Sequence, residues 1–184
     1  MVNLANSNIT KKALAQSLKT LMEKEEFSKI SIADICSQCG MNRKSFYYHF
    51  KDKYNLMNWI FDVEILSTLM HSDSDDTWDK LQIICNYFYN HKKFYRKVLK
   101  IQGQNSFEEH FCSIMKPFIE ESIKKKLGGE TELDFYVAFY TDTCIISLKK
   151  WILENNSIDP QEFLRRIREC IRIMAIKDQE FKKS

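Results

Sequence analysis

Residues 31–56, SIADICSQCGMNRKSFYYHFKDKYNL, decide how the rest of the chain is read. Ser31 with Asp34 three residues on predicts a helix start: the hydroxyl accepts an orphan amide proton, and the carboxylate faces the positive end of the helix dipole. Gly40 stops that helix, because the tight turn after it needs a residue that tolerates positive φ. A second short helix is expected over residues 42–49. Ile32, Ile35, Cys36 and Cys39 fall on one inner face, and Met41, Phe46 and Phe50 on the face opposite. The outer side of the second helix then carries Asn42, Arg43, Lys44 and Ser45 at its start and Tyr47, Tyr48 and His49 at its end, with Lys51 and Lys53 just beyond.

Two short helices at a steep angle, the second offering donors at its N-terminal end, are what major-groove reading requires. Arg and Lys suit guanine edges and phosphates, Asn suits adenine, and tyrosine hydroxyls reach phosphates. Charge agrees. Residues 1–60 hold nine Lys/Arg against five Asp/Glu, whereas residues 61–184 hold nineteen against twenty. A basic N-terminal region on a near-neutral remainder suits a polyanion partner, although a net charge of +3 alone implies only a solvated surface.

Outward from this stretch, apolar residues recur at helical spacing. Ile9, Ala13, Leu14, Leu18, Leu21 and Met22 predict the inner face of a first helix, capped by Asn8 or Thr10. Asp52 is expected to cap a fourth helix reaching about Met70. The acidic run from Ser72 to Asp76 reads as a solvated loop near a domain boundary, with His71, Asp73, Asp75 and Asp76 only a loose metal candidate. Trp78, Leu81, Cys85 and Phe88 mark a fifth helix, and residues 92–101 another. Ser106 with Glu109 opens a helix in which Pro117 should kink or split the pattern, and Gly128-Gly129 ends it. Thr131 with Asp134 opens a long helix to about Glu154. Asp159-Pro160 opens the last one, with proline at the tolerated first position.

The whole is predicted to be all-α: a three-helix DNA-binding head with a helix-turn-helix over residues 1–60, joined by a long helix to a helical body over residues 61–184. Four Gly and two Pro in 184 residues fit that class, and 44% apolar residues supply a core. Residues 1–10 lack the apolar stretch of a secretory signal, and no apolar run reaches membrane-spanning length. The six cysteines therefore read as reduced thiols of a cytoplasmic protein. Cys36-x-x-Cys39 has no second ligand pair, so no metal site is expected. No phosphate loop, nucleophile–base order or paired carboxylates appear, which argues against an enzyme, and no cofactor is implied.

The stretch from residue ~9 to ~60 closely resembles the TetR family of transcriptional regulators. The serine cap, the isoleucine-bearing helix, the Cys39-Gly40-Met41 turn and the run Tyr47-Tyr48-His49-Phe50-Lys51-Asp52-Lys53 followed by Leu56 carry the likeness. Cys36 and Cys39 stand where alanine is usual and Met41 where valine is usual, which preserves size or apolarity. The resemblance implies DNA-contacting roles for Asn42, Arg43, Lys44, Ser45, Tyr47, Tyr48, His49 and Lys53, with Ser31 and the start of the first helix on backbone phosphate. It also implies a homodimer on a palindromic double-stranded operator and a body that binds a small-molecule effector or partner protein. Tyr87, Asn90, Phe94-Tyr95, Leu99 and the run from Gly103 to Phe107 resemble the subgroup that includes activators of dihydroxyacetone kinase operons. That likeness names no effector.

In the body, residues 135–153 are apolar nearly all round, which predicts burial on most sides. Phe163, Ile167, Ile171 and Met174 form a stripe on the last helix that suits a dimer seam or the core. Trp78, Phe88, Tyr95, Phe107, Phe111, Phe118, Tyr136 and Tyr140 are expected to be core more than pocket lining. Asp142 is either a polar anchor for a ligand or a paired structural carboxylate. A helical adaptor with a vestigial head is the other class of protein that fits.

Overall fold

The computed structural model describes residues 2–70, 76–101, 106–127, 133–155 and 157–181. Every regular element among them is helical. The order is α1 (Val2–Lys24), a 3-10 turn (Phe27–Lys29), α2 (Ile32–Gln38), α3 (Arg43–His49) and α4 (Lys53–Phe61), then a π-helical segment (Asp62–Leu66) and α5 (Ser67–Met70). The chain continues through α6 (Thr77–Asn90), α7 (Lys92–Val98), α8 (Phe107–Leu127), α9 (Leu133–Leu153) and α10 (Pro160–Phe181). No described helix is long and apolar enough to cross a membrane.

The first helix departs from expectation. It begins at Val2 and runs through Asn8 and Thr10, so neither residue caps it. Ile9 is 65% exposed and takes no part in the inner face, which Leu14, Leu18 and Met22 supply. Polar Asn3, Asn6, Ser7 and Asn8 mimic a capped start, yet none of them forbids a helix, so α1 continues through them.

The expected fourth helix is continuous in direction, but it contains a π turn. Asp62 and Ser67, which bound the π segment, both have right-handed helical backbone angles. Ser67 and Thr68 donate their hydroxyls back to the Val63 and Glu64 carbonyls, the latter at 2.8 Å. Such back-bonds give carbonyls new partners where the regular ladder is disturbed.

One connected core runs from Leu14 in α1 to Leu164 in α10. Its centre is aromatic. Phe61 meets Phe88, Phe107 and Phe111 at centroid distances of 5.2 to 6.0 Å, and Phe88 meets Tyr95 at 4.5 Å. These rings therefore pack as core, as their helical spacing implied. Phe118 instead borders a separate cleft of about 310 Å³ with Leu69, Ile84 and Met115.

Pro117 lies inside α8 without splitting it. Asp76 caps α6, and Asp159 accepts from the amides of Gln161 and Glu162 to start α10 behind Pro160. His71, Asp73 and Asp75, the run from Gly103 to Asn105, Gly128-Gly129, Thr131 and the Met174 side chain lie outside the described residues.

A further correction concerns α9. It packs chiefly on α8 and buries Val137, Thr141, Ile145 and Leu148, but Phe135, Phe139 and Ile146 are exposed. Asp142 is exposed among them. Apolar character all round the helix is thus met on one side only within a single chain.

Candidate nucleic-acid interface

The Ser31 cap forms as a reciprocal box. The Asp34 amide donates to Ser31 Oγ at 3.2 Å, and the Ser31 amide donates to Asp34 Oδ2 at 2.8 Å. The Ser31 hydroxyl also donates to that carboxylate at 2.6 Å, which holds the Asp34 pKa below its ordinary value. Gly40 adopts φ 68°, the left-handed conformation the turn demands. The Met41 amide then returns to the Cys36 carbonyl at 2.9 Å and closes the turn. Cys36 is buried, and burial raises its thiol pKa. Cys39 Sγ donates to the Ile35 carbonyl at 3.4 Å. The pair serves packing and the helix end.

Asn42 caps α3: its Oδ1 accepts from the Ser45 amide at 2.9 Å and from the Ser45 hydroxyl at 3.2 Å. The carbonyl of Asn42 and the hydroxyl proton of Ser45 are thereby committed, and the Asn42 amide nitrogen remains as the donor at the helix start. Phe46 is fully buried and Phe50 nearly so, which turns the opposite face of α3 outward. Arg43 and Lys44 are exposed there, with Tyr47 58% and Tyr48 79% exposed. Two large aromatics held in solvent by buried neighbours before and after them are unusual for a packed surface. They present ring faces and hydroxyls to whatever docks.

His49 is only half-exposed. Its Nδ1 lies 3.5 Å from Ser7 Oγ in α1, and its ring meets Tyr48 edge-on at 4.8 Å. Burial, then the nearby Lys11 ammonium, lower its pKa. It ties the end of α3 to α1.

Lys53 points inward. Its Nζ donates to the carbonyls of Phe27 and Ile30 at 2.7 Å and of Ser28 at 3.3 Å. Burial lowers its pKa. The resemblance cast Lys53 as a DNA contact; here its ammonium holds the turn before α2 against the start of α4.

Sequence reasoning missed a polar network joining α1 to the later helices. Lys19 Nζ pairs with Glu64 in the π segment, at 2.5 and 2.7 Å to its two oxygens. Tyr87 donates to the same carboxylate, and Tyr95 donates to the Tyr87 hydroxyl at 3.1 Å. Asp62, two residues before Glu64, bonds His110 of α8 at 2.7 Å. Lys97 of α7 donates to the last carbonyls of α1, at 2.6 Å from Met22 O. The partners lie 23 to 75 residues apart, so no local spacing announces them.

Two short helices joined by a tight glycine turn, the second with an exposed, donor-bearing face, on an all-α scaffold have the form of a helix-turn-helix regulator, and the comparisons with known proteins specify which kind. The model of bacterial regulatory proteins of the tetR family matches residues 17–59, and that of a transcriptional regulator C-terminal region of the same family matches residues 76–172. The chain belongs to the TetR family of transcriptional regulators: a DNA-binding protein whose C-terminal region receives an effector.

It is similar to the HTH-type dhaKLM operon transcriptional activator DhaS of Lactococcus lactis, 24% identical over 165 residues that cover 86% of this chain and 87% of that one. The solved structure of a dihydroxyacetone kinase operon activator DhaS superposes with a TM-score of 0.66 at 22% identity, covering 90% of this chain and 96% of the other. A TetR transcriptional regulator from Streptococcus agalactiae gives 0.69 at 20% identity, covering 90% and 95%. These structural likenesses establish the fold.

Proposed function

We propose that the chain acts in the cytoplasm as a homodimer on a palindromic double-stranded operator, with α3 of each copy in the major groove of one half-site. The observation that carries this reading is the outer face of α3: Arg43, Lys44, Tyr47 and Tyr48 exposed together over a buried Phe46. Arg43 and the Asn42 amide face bases, Lys44 and the tyrosine hydroxyls reach phosphates, and Ser31 brings the start of α2 to the backbone. Lys53 acts indirectly, by positioning. Two half-sites then lie about 34–36 Å apart or somewhat more.

The working boundary between head and body falls near residue 60, where α4 gives way to the π segment. Lys19–Glu64, Asp62–His110 and Lys97 on the end of α1 support a stiff connection across it. An effector or partner protein on the body changes the separation of the two heads through that connection. The exposed apolar residues of α9 and α10, Phe135, Phe139, Ile146, Ile171 and Ile173, suit the dimer seam, which is wider than the predicted stripe. Phe163 of that stripe stacks on Trp151 at 4.4 Å within the chain, so its part in the seam is at most marginal.

Gel-shift titration against genomic fragments at several salt concentrations tests the reading. A specific reader gives a discrete shifted complex with a steep salt dependence. If no fragment outcompetes bulk DNA, the helical adaptor takes its place.

A further inference from the structure

A cleft of about 960 Å³ opens between the C-terminal part of α1 and the corner joining α6 to α7. Lys19 lines it from α1, and Lys92, Lys93, Arg96 and Lys97 line it from α7; Glu23 is the one carboxylate among its described lining residues. The fold brings these cations together for reasons of its own. Lys97 donates to the carbonyls of Met22, Glu23 and Glu25. Arg96 donates to the carbonyls of Ile152 and Glu154, and Lys92 to the Ser157 hydroxyl. All of these acceptors are neutral, so the bonds fix the side chains without cancelling their charge. Lys19 is paired with Glu64. Lys93 is exposed and has no protein partner among the described residues. The crowding is felt locally. The Lys92 pKa is lowered by burial and then by Arg96, and that of His91 by burial and then by Lys19.

The cleft stands away from the end of α1 that meets α3. Ser7 of α1 touches His49 at the end of α3, and Lys19 lies twelve residues further along α1. At 1.5 Å per residue that is about 18 Å from the DNA-facing end. The cleft has the size of a small-molecule site. Cations from two helices converge on it, and Tyr89 and Phe94 add flat apolar faces to the same walls.

We propose that this cleft binds a small organic phosphate, its dianionic group held by Lys93 and the neighbouring α7 cations and its organic part against Tyr89 and Phe94. The ligand would touch both α1 and α7, the two helices that Lys97 already joins. This inference rests on the effector reading above and gives it a ligand class and a place.

Isothermal titration of the full-length protein with inorganic pyrophosphate, at constant ionic strength and without DNA, tests the site. Saturable binding at one site per chain is expected, weakened about tenfold or more by Lys93→Glu, which reverses a charge without removing a protein bond. Lys150→Glu, an exposed reversal on α9, should leave the affinity unchanged. Absence of saturable binding, or equal weakening by both variants, overturns the proposal, because the heat then reports only bulk ion exchange. Gel shifts with and without pyrophosphate separate the two readings. Binding that Lys93→Glu weakens, with DNA affinity unmoved, keeps the site and removes its role as an effector site.

Discussion

Lys53 and Phe27 meet twice: the ammonium donates to the Phe27 carbonyl at 2.7 Å and lies 4.5 Å from the centroid of the Phe27 ring. A lysine so placed closes the loop before α2 on to α4 and fixes where the capped start of α2 stands. Lys53→Ala removes the charge-assisted bonds to the Phe27, Ser28 and Ile30 carbonyls, of which Phe27 keeps the Ile30 amide, a loss of about 1–3 kcal/mol. Urea unfolding should show the midpoint falling with an unchanged slope, and DNA affinity should fall at every sequence alike. An unaltered midpoint with weakened binding would return Lys53 to the DNA backbone.

Asn42 raises a different question, because one side chain both caps α3 and faces the groove. Asn42→Asp separates the two roles. Aspartate caps as well as asparagine, so thermal stability should stay within about 0.5 kcal/mol. It replaces the amide donor with a negative charge beside phosphates, so operator binding should collapse. Arg43→Ala should also leave the fold intact, since Arg43 is exposed, while relaxing base preference at one position per half-site by about 1–3 kcal/mol. Selection from a randomised operator library measures it.

Much of this head is legible in the sequence because its signals are local. Ser31 to Asp34, Gly40 after α2, and Phe46 with Phe50 act over one or two helical turns, where spacing translates directly into geometry. The ambiguous residues are those whose chemistry serves two ends. Asparagine at a helix start is both a cap and a base reader, and lysine after a signature aromatic run can face phosphate or its own backbone. Only three-dimensional placement separates them. Lys19 with Glu64, 45 residues apart, leaves no trace in periodicity. For α9 the apolar residues run nearly all round the helix, yet a single chain buries only one side of it, so composition alone overstates its burial.

Gly40 offers a test of backbone conformation alone. A Cβ built there meets nothing within 4 Å, so a substitution adds no clash. Its φ of 68° still penalises an ordinary side chain by about 1–2 kcal/mol. Gly40→Ala should lower stability by that amount, Gly40→Asn by clearly less, and Gly40→Val by more. Equal losses for alanine and asparagine would mean that something other than φ sets the cost.

The α9 surface carries the last prediction. Phe139 and Ile146 are each 48% exposed, one on either side of exposed Asp142. Neither belongs to the buried core, so Phe139→Glu with Ile146→Glu should leave helix content and the unfolding midpoint of the chain little changed. Against a second copy, the same two charges would be buried in an apolar seam, and two-fold symmetry places them there twice. Sedimentation should therefore show a dimer for the unaltered protein and a monomer for the double variant. A monomer engages one half-site at a time and loses the gain of tethering, so operator affinity should fall by about 10² or more. A double variant that sediments as a dimer and binds normally moves the seam off this face.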